Sequence, residues 1–232
     1  MTSPGLTTNP ILYTKLRHDP VKDFTAISIV AEIPNVLVVH PGVPAKSIGE
    51  LFALARAKPG TLTQSSAGIG SPGHLSGELL QIMMKMKFVH VPYKGAQSVI
   101  DLIGGHVDLS FPSISSSIVF IKDGKLRALG VTSAKRSPLL PDVPSIGEKA
   151  VPGYASVGWY GIVGPASIPK PIVATLNKEI VRILQNAEVR ERLAREGAVP
   201  VINSPEEFSA FIAGDHRKWE KVIKAANIRV SE

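Results

Sequence analysis

The chain has 232 residues, 44% of them hydrophobic and 19% charged, the balance of an ordinary globular protein rather than of a disordered or coiled-coil chain. The absence of cysteine excludes disulfides, thiolate nucleophiles and cysteine metal sites, and apolar runs such as 35–39 and 118–121 fall far short of the ~20 residues that cross a bilayer. The net charge of +7 suits an anionic ligand, nucleic acid or an anionic surface alike, but bases alternate with acids, as in Arg190-Glu191-Arg192; they read as a solvated face, and no nucleic-acid partner is expected.

Residues 1–10 lack the basic start and apolar stretch of a secretory signal. Segments 26–31 and 35–39, rich in β-branched and aliphatic residues, predict strands. The stripe Ile48, Leu51, Phe52, Ala55 has the i, i+3, i+4, i+7 spacing of a helix and opens on Ser47 and Glu50, the two members of a capping box. A strand over 61–66 leads through a Gly-rich loop into a helix marked by Leu75, Leu79, Ile82, Met83 and Met86. Further strands are predicted at 88–91, 107–111, 126–132 and 158–163, with a helix at Ala96, Val99, Ile100 and Ile103 between the first two. Capping boxes also stand at Ser145 with Glu148 and at Ser204 with Glu207, and the last helix carries Trp219, Val222, Ile223 and Ala226.

Strand alternating with helix predicts parallel sheets flanked by helices, with ligands beyond the carboxyl ends of strands. The Pro-rich stretches 39–44 and 164–169 each follow an apolar strand and mark crossings between two lobes. The expected division is 1–39 plus 158–232 for the first lobe and 40–157 for the second.

The loop Ser65-Ser66-Ala67-Gly68-Ile69-Gly70-Ser71-Pro72-Gly73-His74 contains a formal G-x-G-x-x-G match. A dinucleotide site also wants an acid ~20 residues on, at the end of the next strand, and that strand runs into His90-Val91-Pro92-Tyr93-Lys94-Gly95 without one. The same loop can cradle a carboxylate on backbone N–H groups and a helix N-terminus, with Ser65, Ser66 and Ser71 adding hydroxyls; it can equally be a Gly-rich turn that Ser71 caps. A nucleophile elbow centred on Ser71 would need glycine where Ile69 stands. The six histidines show no metal-ligand pairing, and only His74, one turn above the loop, is retained as a candidate contact. Tyr93, Lys94 and the Ser113 loop follow later strands and would rim the same cleft. No catalytic residue, metal or cofactor is expected.

The runs 90–95, Asp101-Leu102-Ile103-Gly104-Gly105-His106-Val107-Asp108, Gly124-Lys125-Leu126-Arg127-Ala128-Leu129-Gly130-Val131 and Leu140-Pro141-Asp142-Val143-Pro144-Ser145 resemble the Bug family. These are Bordetella-uptake-gene, TctC-like solute-binding proteins of tripartite tricarboxylate transporters. The resemblance continues through Pro152-Gly153-Tyr154 and Trp159-Tyr160-Gly161 to the C-terminal helices. It implies a non-enzymatic, periplasmic protein of α/β class, type II periplasmic-binding-protein-like, with two doubly wound lobes around a cleft. That cleft takes a di- or tricarboxylate, an acidic amino acid or an aromatic acid, and the partners are the transporter's membrane components. Carried over residue by residue, the ligand contacts are Ser3 and Gly5 from the first lobe and Ser65, Ser66, Gly70, Ser71, His74, Tyr93, Lys94 and Ser113 from the second. Family members begin with an export signal, a strand and a Gly-rich loop ending in Asp, whereas this sequence enters after them. The expectation is therefore a first lobe without its opening strands, prone to self-association through the exposed sheet edge. The rivals are a nucleotide-using doubly wound enzyme and the effector lobe of a transcription regulator.

Overall fold

The computed structural model describes residues 1–230 except Thr14 and Arg17. Its elements run α1 (Gly5–Leu12), β1 (Phe24–Pro34), β2 (Val36–Val39), α2 (Ile48–Ala57), β3 (Thr63–Ser66), α3 (Pro72–Met84), β4 (Val89–Pro92), α4 (Gln97–Ile103) and β5 (Leu109–Ser110). They continue α5 (Ile114–Lys122), β6 (Arg127–Val131), α6 (Ile146–Lys149), β7 (Val157–Pro165), α7 (Lys170–Gln185), α8 (Ala187–Arg195), β8 (Val199–Pro200) and α9 (Pro205–Ala225). The chain divides into two compact units, Met1–Ile33 with Gly158–Glu232, and Pro34–Val157. The division thus falls before β2 rather than after it, because β2 pairs with β5 and β6 of the second unit.

In the second unit five strands form one sheet in the order β4-β3-β5-β2-β6. The expectation of a parallel sheet holds for β4-β3-β5 and fails at β2, which runs antiparallel to both neighbours. Val36, Leu37, Val38 and Val39 are all fully buried, as befits a central strand covered on both faces. Val36 and Val38 pack with Val99 and Leu102 of α4 and Ile114 of α5. On β6, a Cβ added at Gly130 would lie 2.7 Å from Ile48 of α2 and 2.8 Å from Ile146 of α6.

Two predicted helical stripes are only partly right. Ile100 is 57% and Ile82 40% exposed, while α4 and α3 bury Val99, Leu102, Leu75, Leu79 and Leu80 instead. The buried arc is set by where the sheet lies, not by every apolar residue at helical spacing. Of the predicted capping boxes, Ser204 and Glu207 close fully: Ser204 Oγ accepts from Glu207 N at 3.1 Å and the Glu207 carboxylate accepts from Ser204 N at 2.7 Å. Ser47 caps Glu50 N, but the Glu50 carboxylate accepts from Lys46 N, one residue further out. The Ser145 box does not form, because Ser145 Oγ donates to Ser133 O at 2.6 Å and Glu148 pairs with Arg136.

The first unit holds a three-stranded sheet, β7-β1-β8. The short β8, absent from the sequence reading, pairs antiparallel to β1 at Ala31 and Glu32. Leu6, Ala26, Ile29, Trp159, Phe208 and Ile212 form its core. Asp215 of α9 ties this core to α1: Thr7 Oγ1 donates to it at 2.7 Å, and the indole N–H groups of Trp159 and Trp219 donate at 3.3 and 2.8 Å.

Candidate functional site

Within the second unit a cavity of about 580 Å³ opens at the carboxyl ends of β3 and β5. Its wall includes Ser66 and Ser71–Gly73 at the start of α3, Gly95, Ala96 and Ser98 at the start of α4, and Pro112, Ser113 and Ser116 at the start of α5. Asn35, Val99, Ile100, Phe111 and Phe120 complete most of the remainder. Among the described residues no charged side chain lines it. The local field is therefore that of helix N-termini, whose first-turn N–H groups carry partial positive charge.

The sequence makes these termini by capping. Ser71 is extended and its Oγ accepts from His74 N at 3.4 Å; Pro72 follows at the first helical position, where a missing N–H costs nothing. Ser113 is likewise extended and caps Ser116 N at 3.3 Å. Gly73 allows α3 to come against the loop before α5, since a Cβ there would lie 2.7 Å from Phe111 O. Gly70, at φ +76°, takes a backbone conformation that side-chain-bearing residues avoid.

His74 locks the loop rather than facing the cavity. It is 4% exposed, its Nδ1 accepts from Gly70 N at 3.0 Å, and its Nε2 lies 3.5 Å from Glu78. The Gly70 amide is thereby used within the protein. The His74 ring stacks on His90, and Ser66 Oγ lies 2.7 Å from His90 Nε2. Burial first, and His74 second, lower the His90 pKa to about 4 against the opposing pull of Glu78.

Of the residues singled out in sequence, the cavity wall brings together Ser66, Ser71 and Ser113. Ser65 is fully buried, its hydroxyl donating to Ser98 O at 3.0 Å. Tyr93 lies half-buried against the core, its N–H bonded to Ser66 O, and Lys94 is exposed. Gly70, His74, Tyr93 and Lys94 are outside the wall. Ser3 and Gly5 sit in the first unit at the start of α1, where Ser3 O accepts from Leu6 N at 2.9 Å and Thr2 bridges Gly161. The sequence reading missed Asn35, Ser98 and Ser110, since a polar residue inside a strand or helix gives no sign of the cavity it meets. Among the described residues no cluster of three or more His, Asp or Glu could hold a metal, and no helix is long and apolar enough to cross a membrane.

A family model described as tripartite tricarboxylate transporter family receptor matches residues 1–228. The Bordetella pertussis protein BugT is 31% identical over 220 residues, covering 94% of this chain and 68% of BugT. Among solved structures, R. palustris Rpa4515 with adipate superposes with a TM-score of 0.85 at 35% identity, covering 99% of this chain and 78% of that one. MatC from Rhodopseudomonas palustris with bound malate gives 0.77 at 29% identity, covering 95% and 77%.

Proposed function

Because the chain belongs to the family of tripartite tricarboxylate transporter receptors, we propose that it is a periplasmic solute-binding protein that captures a small carboxylate and delivers it to the membrane components of its transporter. One observation carries the ligand class: the capped N-termini of α3 and α5 open on one cavity that, among the described residues, no charged side chain lines. Backbone N–H groups and helix dipoles there offset a carboxylate's charge. The Ser71 hydroxyl accepts from His74 N and keeps its hydrogen for an anion. Relatives seen with adipate and malate support the same class.

The family of transporter receptors to which the chain belongs supports capture and release without chemistry on the ligand. In this reading the two units are the two lobes of the binding protein, and Ser3 and Gly5 supply contacts from the first. Titration calorimetry with mono-, di- and tricarboxylates, against their uncharged amides, tests the proposal. Saturable binding of a carboxylate and none of its amide is expected; equal binding of both, or of neither, overturns it.

A further inference from the structure

Asn35 stands just before β2 and is held by its backbone. Its N–H donates to Thr132 Oγ1 at 2.9 Å, and its carbonyl accepts from Thr132 N at 2.9 Å and Thr132 Oγ1 at 3.0 Å. On the other side it bridges Ser113, and the next residue, Val36, donates to Pro112 O. This clamp fixes the Cα, and the residue, 5% exposed, lines the cavity.

The polar wall divides into hydrogens already committed and hydrogens still available. Ser98 donates to Gly95 O, Ser110 to Ser65 O, and Ser116 to Ser113 O. Ser113 donates to the Ser116 hydroxyl, and Ser66 is engaged by Gly68 O and His90. The Asn35 amide, with two donor hydrogens and an acceptor oxygen, has no side-chain partner among the described residues. Among the described residues Gln64 Oε1 is the buried side-chain atom without a partner, so the Asn35 amide meets solvent at the cavity surface and its hydrogens are free for a ligand. Around it the wall is largely apolar, with Phe111, Pro112, Val99 and Ile100, and a ligand hydroxyl placed against these groups would go unsatisfied.

We infer, resting on the carboxylate-binding reading, that Asn35 donates to a ligand oxygen and selects acids whose hydrocarbon segment carries no hydroxyl or additional carboxyl group. The preferred class is therefore unsubstituted straight-chain or aromatic acids over hydroxy acids and tricarboxylates. The discriminating element is a neutral amide in an apolar wall, so selectivity follows desolvation of the ligand's middle rather than its total charge.

Calorimetry of the 232-residue protein with succinate, adipate, malate, tartrate and citrate tests this, together with Asn35→Ala and the near-isosteric Asn35→Asp. Wild type should bind adipate or succinate at least about tenfold tighter than the hydroxylated acids and citrate. Loss of a hydrogen bond to a charged group should weaken Asn35→Ala about 10- to 100-fold, and Asn35→Asp more, since it sets like charges together. If neither an acid of this panel nor benzoate binds wild type, the carboxylate reading itself fails. If acids bind but the hydroxylated ones or citrate bind more tightly, a result that needs no variant, the inference is overturned while that reading stands. Folded Asn35 variants that bind within about twofold of wild type overturn it likewise.

Discussion

His74 and His90 stack with ring centroids 3.7 Å apart and planes 10° from parallel, joining the first turn of α3 to the strand that follows it. His90 titrates near 4 instead of 6.5 in this setting. The unfolded chain therefore takes up a proton at a pH where the folded protein does not. The resulting stability is complete above about 6.5 and is lost as pH falls from there toward about 4. Because His90 is partly solvated, the expected loss is on the order of 1 kcal/mol. Urea unfolding of wild type and His90→Gln between pH 7.5 and 4 should show this increment in wild type alone.

Asp215 accepts from Trp159 and Trp219, and these are the chain's 2 tryptophans. Burial raises its pKa against the lowering effect of its three donors and Lys218. A raised carboxyl contributes stability at low pH that is lost as pH rises through its folded value. Tryptophan emission should therefore shift through a transition above the usual carboxylate range. Asp215→Asn should abolish that transition and cost about 1–3 kcal/mol, since an amide N–H₂ would oppose an indole N–H. An unchanged emission titration in the variant would assign the transition to another group.

Gly73 and Gly214 make a matched test of packing. A Cβ at Gly73 meets Phe111 O at 2.7 Å, whereas one at Gly214 in α9 meets nothing within 4 Å. Gly73→Ala should lose about 1–3 kcal/mol as α3 is pushed from Phe111. Gly214→Ala should gain roughly 0.5–1 kcal/mol from the lower entropy of its unfolded chain. Chemical denaturation of the two variants reads both signs.

Ser71→Asp separates capping from binding. Aspartate caps a helix about as well as serine, so stability should stay within about 0.5 kcal/mol of wild type. Its negative charge would nevertheless stand where the proposed carboxylate lies. Affinity should fall by more than about tenfold, and calorimetry beside a melting curve distinguishes this from unfolding. A variant with wild-type affinity would remove Ser71 from the site.

Much of this protein was legible locally. The spacing of Ile48, Leu51, Phe52 and Ala55, the Ser204–Glu207 box and the β-branched run at 36–39 each depend on neighbours within a turn or a strand. Their order in the chain carries the α/β class, and the runs from 90–95 to 140–145 carry the family. The helix starts at Ser71 and Ser113 follow from the same short-range chemistry. What local pattern could not supply was partnership over distance. Ser145 has the sequence of a cap, yet its hydroxyl goes to Ser133 O, and Ile100 keeps helical spacing but faces away from the core. The reversal of β2 arises from pairing with β5 and β6, which lie far along the chain. Asn35 looks like the polar start of a strand, and only the clamp by Thr132 and the approach of Ser113 place it at the cavity wall. Capping and periodicity are decided within a few residues, so sequence determines them; which polar groups meet around one cavity is decided by long-range strand pairing and helix packing, which only the folded chain brings about.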